Sequence, residues 1–386
     1  MISPDPPATT LPDIIEWLIG ASHELKTAEL IRELGQRLRD AGLPVDRLIL
    51  HLRTIHPELH GSTLAWTPGE EIEIHPRERG IEHTAAFAQS PLPRMMEMRE
   101  SLVVDLDERN APVWSDFDVF KSRRVAQFLF VPLRNAKELV ALAFFCTAQP
   151  GGFDAAQRAQ LERVVPALRN ACELRMLRDV TQSLLDTYVG AGTAQRILAG
   201  HIRRGEIASL DTALMLCDLR GFTHLSNELP TQRVIELLDA YFDAVVPAVA
   251  AAGGEVLKFI GDAVLAFFHR DDAGAACAAA LDGALRALDN LARFQAPDAE
   301  LHAGVALHYG RVNYGNIGSG GRLDFTLIGP DVNLLSRIQT VCSSTGNRVV
   351  MSERFASLLS GPQPSAIGSH QLKGFPAPVQ LYGLVP

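Results

Sequence analysis

Two aspartates stand where a metal-dependent reaction could use them. Asp218 closes the apolar run at 212–217, and Asp262 sits in a Gly-Asp turn between apolar runs at 255–260 and 263–268. A lone Asp at a strand end is ordinarily a turn or cap residue. Two of them at one sheet edge suit a hard cation such as Mg²⁺, which takes few carboxylates and keeps positions for phosphate oxygens. Two such ions ~4 Å apart activate an attacking oxygen and stabilise a leaving one in an in-line displacement. Gly221 follows at the expected start of a helix, where free N–H groups favour phosphate. Phe222 and Thr223 are therefore expected substrate contacts.

The two carboxylates meet only if the surrounding elements bring them together. Residues 212–216 read as a strand, 233–252 as a helix, and 255–260 with 263–268 as a hairpin. An Ala-rich helix at 273–294 and a strand at 301–308 follow. A helix at 332–342 comes after Gly329-Pro330, and late strands at 348–351 and 379–384 end the chain. Strand–helix–strand–strand–helix–strand is the order of an α+β, ferredoxin-like sheet with helices on one face. There the first strand lies near the hairpin, so Asp218 and Asp262 converge.

Three strings occur in order. They are Cys-Asp218-Leu-Arg-Gly-Phe-Thr223, Lys258-Phe-Ile-Gly-Asp262-Ala, and Asp324-Phe-Thr-Leu-Ile-Gly-Pro-Asp-Val-Asn333-Leu-Leu-Ser-Arg337. Together they resemble the catalytic domain of class III nucleotidyl cyclases, over residues 209–386. The resemblance implies roles residue by residue. Asp218 and Asp262 would bind two Mg²⁺ or Mn²⁺ ions per site, with the Leu219 carbonyl a further ligand. Lys258 and Thr326 would read the base, Asn333 would orient the ribose, and Arg337 would stabilise the phosphoryl transition state. Lys373, in Leu-Lys-Gly-Phe, would hold the triphosphate, and Arg322 would be a further phosphate contact. Asn333 and Arg337 are i and i+4 on one expected helix and so share a face. Arg337 offers a fixed fork of donors for phosphate oxygens. In the family, the metal aspartates of one protomer face the Lys, Thr, Asn and Arg of the other. This chain carries both sets once, so the resemblance implies a head-to-tail homodimer with two composite sites. Outside these strings Lys258 would read as a solvated strand lysine, Asn333 and Arg337 as a capping and salt-bridging pair, and Lys373 as a surface turn residue.

The expected base pair points to ATP. Adenine N1 accepts and its amino group donates; Lys258 only donates, and Thr326 accepts. Guanine reverses both edges, and buried unpaired polar groups cost roughly 1–3 kcal/mol each. Guanylyl members of the family usually carry Glu at the Lys258 position. Many adenylyl members carry Asp where Thr326 stands; Thr is similar to the bacterial and soluble subgroup, some of which respond to bicarbonate.

The rest of the chain sets limits. Its 386 residues fit two or three domains. The net charge of −9 argues against a protein that works by neutralising a nucleic acid backbone. No run offers the ~18 apolar residues of a membrane span, and residues 1–12 lack the pattern of a signal peptide. Five scattered cysteines without a C-x-x-C pair read as reduced, buried thiols of a cytoplasmic protein.

Residues 1–170 read as a mixed α/β domain, with helices at 12–19 and 26–40, a strand at 47–53, and strands at 128–132 and 139–146. A Gln-Pro-Gly-Gly turn at 149–152 and a helix N-capped by Asp154 follow. The late hairpin, the Pro-Gly-Gly-Phe turn and the closing helix resemble a GAF-type sensor domain, which implies a pocket for a small ligand of unknown identity. His51, His56, His60, His75 and His83 cluster without a zinc spacing and read as packing or solvated residues. Residues 171–208 read as a linker. Its stripe of Leu177, Val180, Leu184 and Leu185 suits a short coiled coil, and four glycines between 190 and 205 break the helix.

The leading reading is an adenylate cyclase regulated by its N-terminal domain. A guanylate or dual-specificity cyclase is the alternative among enzymes. A catalytically silent cyclase-like signalling module is the alternative outside them. A diguanylate cyclase is disfavoured, because Gly253-Gly254-Glu255-Val256 is not the GGDEF hairpin.

Overall fold

The computed structural model describes residues 9–56, 58–89, 92–106, 121–136, 138–294, 300–361 and 364–384. It divides into two compact units, Met1–Thr187 and Tyr188–Pro386.

The N-terminal unit is built on a sheet of order β3-β2-β1-β6-β5-β4. The strands are β1 (Arg47–Arg53), β2 (Leu59–Trp66), β3 (Glu73–Glu78), β4 (Leu102–Asp105), β5 (Gln127–Arg134) and β6 (Leu139–Thr147). Both faces are covered. Helices α1 (Leu11–Ile19) and α2 (Thr27–Asp40) pack with the first half of α5 (Ala155–Val189) on one face, around Leu34, Leu48, Phe145 and Leu168. The short helices α3 (Ala85–Gln89) and α4 (Leu92–Glu97) lie by the other, whose core holds Met95, Phe128, Phe130 and Phe144. Strand β2 escaped the sequence reading because Gly61 interrupts it. A Cβ at Gly61 would lie 2.2 Å from the Leu52 carbonyl oxygen, so only glycine lets β2 approach β1 there.

Asp154 caps α5, accepting from Gln157 N at 2.8 Å, as the sequence predicts. The helix then runs unbroken through Val189, so the expected closing helix and the first part of the expected linker are one element. Leu177 and Leu184 of the expected stripe lie exposed along it. The glycine-rich stretch beyond is not a plain break: it holds a further helix, α6 (Ala191–Leu198).

The C-terminal unit is the ferredoxin-like arrangement, extended. Its main order is β13-β14-β12-β10-β7-β9-β8, with β11 also paired to β10. The strands are β7 (Ile207–Leu219), β8 (Glu255–Ile260), β9 (Ala263–Phe268), β10 (Ala303–Ser319), β11 (Arg322–Ile328), β12 (Val349–Ser352), β13 (Ser365–His370) and β14 (Val379–Gly383). The hairpin bounds match the sequence reading. Strands β7 and β10 are longer than expected because they pair with each other from Leu219–Ala303 to Ile207–Gly315. A short helix α7 (Phe222–Glu228) precedes α8 (Thr231–Ala251). Helices α8 and α9 (Ala273–Arg293) cover one face. The α9 stripe Ala276, Ala280, Ala284, Ala287 and Leu291 is buried there, and Asp272 caps its start. Helix α10 (Pro330–Thr345) and β11 cover the other face around Leu265, Phe267, Tyr314 and Ile338, while α11 (Glu353–Ser357) follows β12.

Candidate active site

Register brings the two aspartates together. Asp218 lies opposite Ala263 of β9 and Gly304 of β10, and Asp262 is the residue before Ala263. Gly261 makes the turn with φ 64°, in the left-handed region that glycine enters without a steric penalty. Burial raises the Asp218 carboxyl above the ordinary range, and the charge of Asp262 raises it further against smaller opposing effects of Gln339 and Arg220. Burial also raises Asp262. Neither has an ion pair among the described residues. Two half-buried carboxylates that repel and lack a counter-ion form a donor set that a hard divalent cation would satisfy. They do not form a closed protein cage: among the described residues no group of three or more His, Cys, Asp or Glu could hold a metal. The Leu219 side chain is buried, which leaves its main chain for any ligand role.

Arg220 fixes the turn that follows. Its guanidinium donates to the carbonyls of Cys342 (3.0 Å), Ser343 (3.3 Å) and Asn347, and its N–H donates to His302 O at 2.8 Å. It thus caps the carbonyl end of α10 and ties the end of β7 to it. Gly221 (φ 72°) is left-handed at the start of α7, with Phe222 half-buried and Thr223 exposed just beyond.

A second group forms around Lys258 of β8. Its ammonium pairs with Asp324 of β11, 66 residues away. Thr326 lies two residues further along β11, opposite Gly315, so Asp324 and Thr326 share one face of the strand. The sequence reading paired Lys258 with Thr326 alone and missed Asp324. The signal was present: Leu323, Phe325 and Leu327 alternate with polar neighbours, which marks a strand and places Asp324 beside Thr326.

The third group is on α10. Asn333 is exposed and Arg337 half-buried, one helical turn apart as expected. Asp331 positions this turn. Its carboxylate accepts from the Arg311 N–H (2.7 Å) and contacts His308 Nε2 (3.1 Å), while His308 Nδ1 meets Ser352 Oγ at 2.7 Å. The hydrogen bond to His308 holds the Asp331 carboxyl below its usual range. This Ser–His–Asp row is structural: His308 and Ser352 are buried, and Ser352 caps α11 by accepting from Phe355 N. A Cβ on Gly310 would lie 2.3 Å from the Asp331 carboxyl carbon, so glycine is needed for the approach.

The side chains of Lys373 and Arg322 are exposed and make no hydrogen bond or ion pair among the described residues. Lys373 sits between β13 and β14, and Arg322 opposite Ser319 at the tip of the β10–β11 hairpin. One chain therefore brings together Asp218 with Asp262, Lys258 with Asp324, and Asn333 with Arg337. No ion pair among the described residues joins the first group to Lys258 or Arg337.

Residues 208–385 match the family described as the adenylate and guanylate cyclase catalytic domain. An adenylate cyclase of Anabaena cylindrica is 28% identical over 195 residues, covering 47% of this chain and 38% of the relative. A terminal-differentiation-specific adenylate cyclase of Dictyostelium discoideum is 27% identical over 186 residues, covering 47% of this chain and 9% of the relative. The chain thus spans well under half the length of these relatives. The solved structure of a bacterial light-regulated adenylyl cyclase shares 28% identity at a TM-score of 0.46, covering 55% of this chain and 62% of that one. Matched residues, ordered strings and the converging aspartates meet in one conclusion: the C-terminal part of this chain is a catalytic domain of the adenylate and guanylate cyclase family.

Proposed function

We propose that the C-terminal unit converts ATP to 3′,5′-cyclic AMP and pyrophosphate. The observation that carries the choice of ATP is the Lys258 group. A donor-only ammonium stands with two acceptors, Asp324 and Thr326, on the adjacent β11 face. That pattern complements the acceptor N1 and donor amino group of adenine and opposes the edge of guanine. Hydrogen-bond discrimination of this kind reaches ~10⁴-fold.

Asp218 and Asp262 would hold two Mg²⁺ or Mn²⁺ ions, with the Leu219 carbonyl as a further ligand; when bound, these supply charge neutralisation and lower the pKa of the ribose hydroxyl. The chain's own residues position and stabilise. Lys258 donates to N1, and Thr326 accepts from the amino group. Asn333 orients the ribose so that its 3′-oxygen faces the α-phosphorus. The new oxygen–phosphorus bond forms as the bond to the β-phosphate breaks. Arg337 donates to the phosphoryl oxygens as charge develops, while Lys373 and Arg322 receive the pyrophosphate end. Positioning and charge stabilisation dominate such transfers.

The complete site is assembled from two copies. In one chain no ion pair among the described residues links the carboxylates to Lys258 or Arg337. The same hairpin exposes Phe259 and Ile260, each more than half accessible, as an interface would require. The N-terminal unit, with its own core, serves as the regulatory input, and the five buried, unpaired cysteines fit a reducing cytoplasmic compartment. Two assays test the reading. Cyclic AMP from ATP but not cyclic GMP from GTP, absent in Asp262→Ala, is expected. Asp262→Ala and Lys258→Ala, each inactive alone, are expected to regain partial activity when mixed; no recovery in proven mixed dimers overturns the shared site.

A further inference from the structure

The N-terminal unit carries a partly open cavity of about 310 Å³ beside β1, β2 and β3 and under α3 and α4. That volume is at the lower end of small-molecule sites. Much of its wall is apolar, from Phe87, Leu92, Met96, Leu139 and Leu142. Its polar lining is one-sided: among the described residues it includes His51, His60, Arg53 and Arg77 but no Asp or Glu. Glu82 stands nearby, close enough to sense His60, but its carboxylate accepts from the Gly80 N–H at 2.9 Å.

The hydrogen bonds fix what the polar end offers. Arg77 Nε donates to Thr63 Oγ1 at 3.1 Å, and no carboxylate pairs with its guanidinium among the described residues. The Thr63 hydroxyl also meets His51 Nδ1 at 2.7 Å. The other ring nitrogen, Nε2, has no protein partner among the described residues. Burial and the Arg77 charge push His51 down to about 3, so the ring stays neutral and its N–H remains a donor. Among the described residues the cavity therefore presents the Arg77 guanidinium beside a neutral imidazole, with no carboxylate in its lining, at one end of an apolar chamber. With the ring proton on Nε2, a group with two oxygens and one negative charge fills the Arg77 and His51 donors; a phosphate, with more oxygens, calls for more donors than these.

We propose that this cavity binds a small amphipathic monocarboxylate, its carboxylate on Arg77 and His51 and its apolar body against Phe87, Leu92, Met96 and Leu142. The inference is independent of the chemistry assigned to the C-terminal unit.

Calorimetric titration of the full chain with phenylacetate, benzoate and hexanoate, beside the neutral isostere phenylacetamide, tests it. At least one carboxylate is expected to bind, with the amide at least tenfold weaker than phenylacetate. Arg77→Met should weaken carboxylate binding at least tenfold. Arg53→Met, at the exposed rim, should change it less than twofold, with melting curves confirming that both variants fold. Equal binding of phenylacetate and its amide overturns the anionic class. Equal loss in the two arginine variants overturns the assignment to Arg77. Absence of binding by all three carboxylates at millimolar concentration overturns the proposal, and the wild-type arms decide this even if Arg77→Met does not fold.

Discussion

Two charge clusters, one in each unit, are built in opposite ways. In the N-terminal unit Glu73 faces the buried Arg47 through two hydrogen bonds (2.8 and 3.0 Å) and Arg123 through a third (2.7 Å). Hydrogen bonding to Arg47 leads the effects that hold its carboxyl down to about 2. In the C-terminal unit Asp218 and Asp262 raise rather than relieve the electrostatic cost, and both are pushed up. The first cluster is complete in itself and ties β1, β3 and the segment before β5 together. The second has no ion pair among the described residues, and the reaction proposed for it calls for positive charge from outside the chain. A charged group that holds a fold is satisfied by its neighbours, whereas one that performs a reaction is left unsatisfied until its ligand arrives.

The largest separation of these roles is expected from Asp262→Ala. Losing several kcal/mol of charge stabilisation should cut cyclase turnover on the order of 10³-fold. The melting temperature should hold or rise, because a repelling carboxylate is gone. A fall in stability comparable to the loss of a core residue would erase the contrast.

Glu73→Gln should do the reverse. Breaking a buried pair strands the Arg47 guanidinium and is expected to cost about 3 kcal/mol in urea unfolding, with turnover per folded molecule unchanged.

The pH profiles should carry opposite signs. The folded Glu73 carboxyl lies below its ordinary 4.5, so its stabilisation is fully present above that value and is lost as pH falls through about 2. The raised aspartates destabilise when charged, so their penalty fades as pH falls through their raised values. Urea melts from pH 7 to 3 on wild type, Glu73→Gln and Asp218→Asn separate the two.

Gly310→Ala probes the support beneath both Asn333 and Arg337. The added methyl meets Asp331 and should cost roughly 1–3 kcal/mol, with KM and kcat both worsening as the start of α10 shifts. The smallest effect is that of added Mg²⁺. At about ten times its dissociation constant it should stabilise the C-terminal unit by about 1.4 kcal/mol, and not do so in the doubly substituted Asp218→Asn, Asp262→Asn chain.

The convergence of Asp218 and Asp262 was legible in the sequence because its geometry is local: a strand end, a two-residue turn, and a fold order that places one beside the other. The helix carrying Asn333 and Arg337 was legible from Gly329-Pro330 and a 3.6-residue period. The partner of Lys258 was only half legible: alternation along β11 sets Asp324 beside Thr326, but the contact with Lys258 forms only after β10 and β11 fold over the sheet. Arg220 and Asp331 were missed for a related reason. Their work is to satisfy backbone groups elsewhere, and backbone groups leave no trace in residue types. The N-terminal sheet was half legible. Strands β5 and β6 are continuous apolar runs, whereas β2 and β3 carry the Gly, Pro and charges that a cavity wall and an edge strand require.

All five thiols are buried and pushed up by that burial, Cys342 to about 11 and the other four to about 12. Thiolates do the reacting, so the folded chain should resist alkylation almost completely. Each modification then records an opening event. Cys146 and Cys172 report on the N-terminal unit, and Cys217, Cys277 and Cys342 on the C-terminal one. Peptide mass mapping after a timed pulse of iodoacetamide would read two clocks in one molecule, showing which unit a candidate ligand quiets.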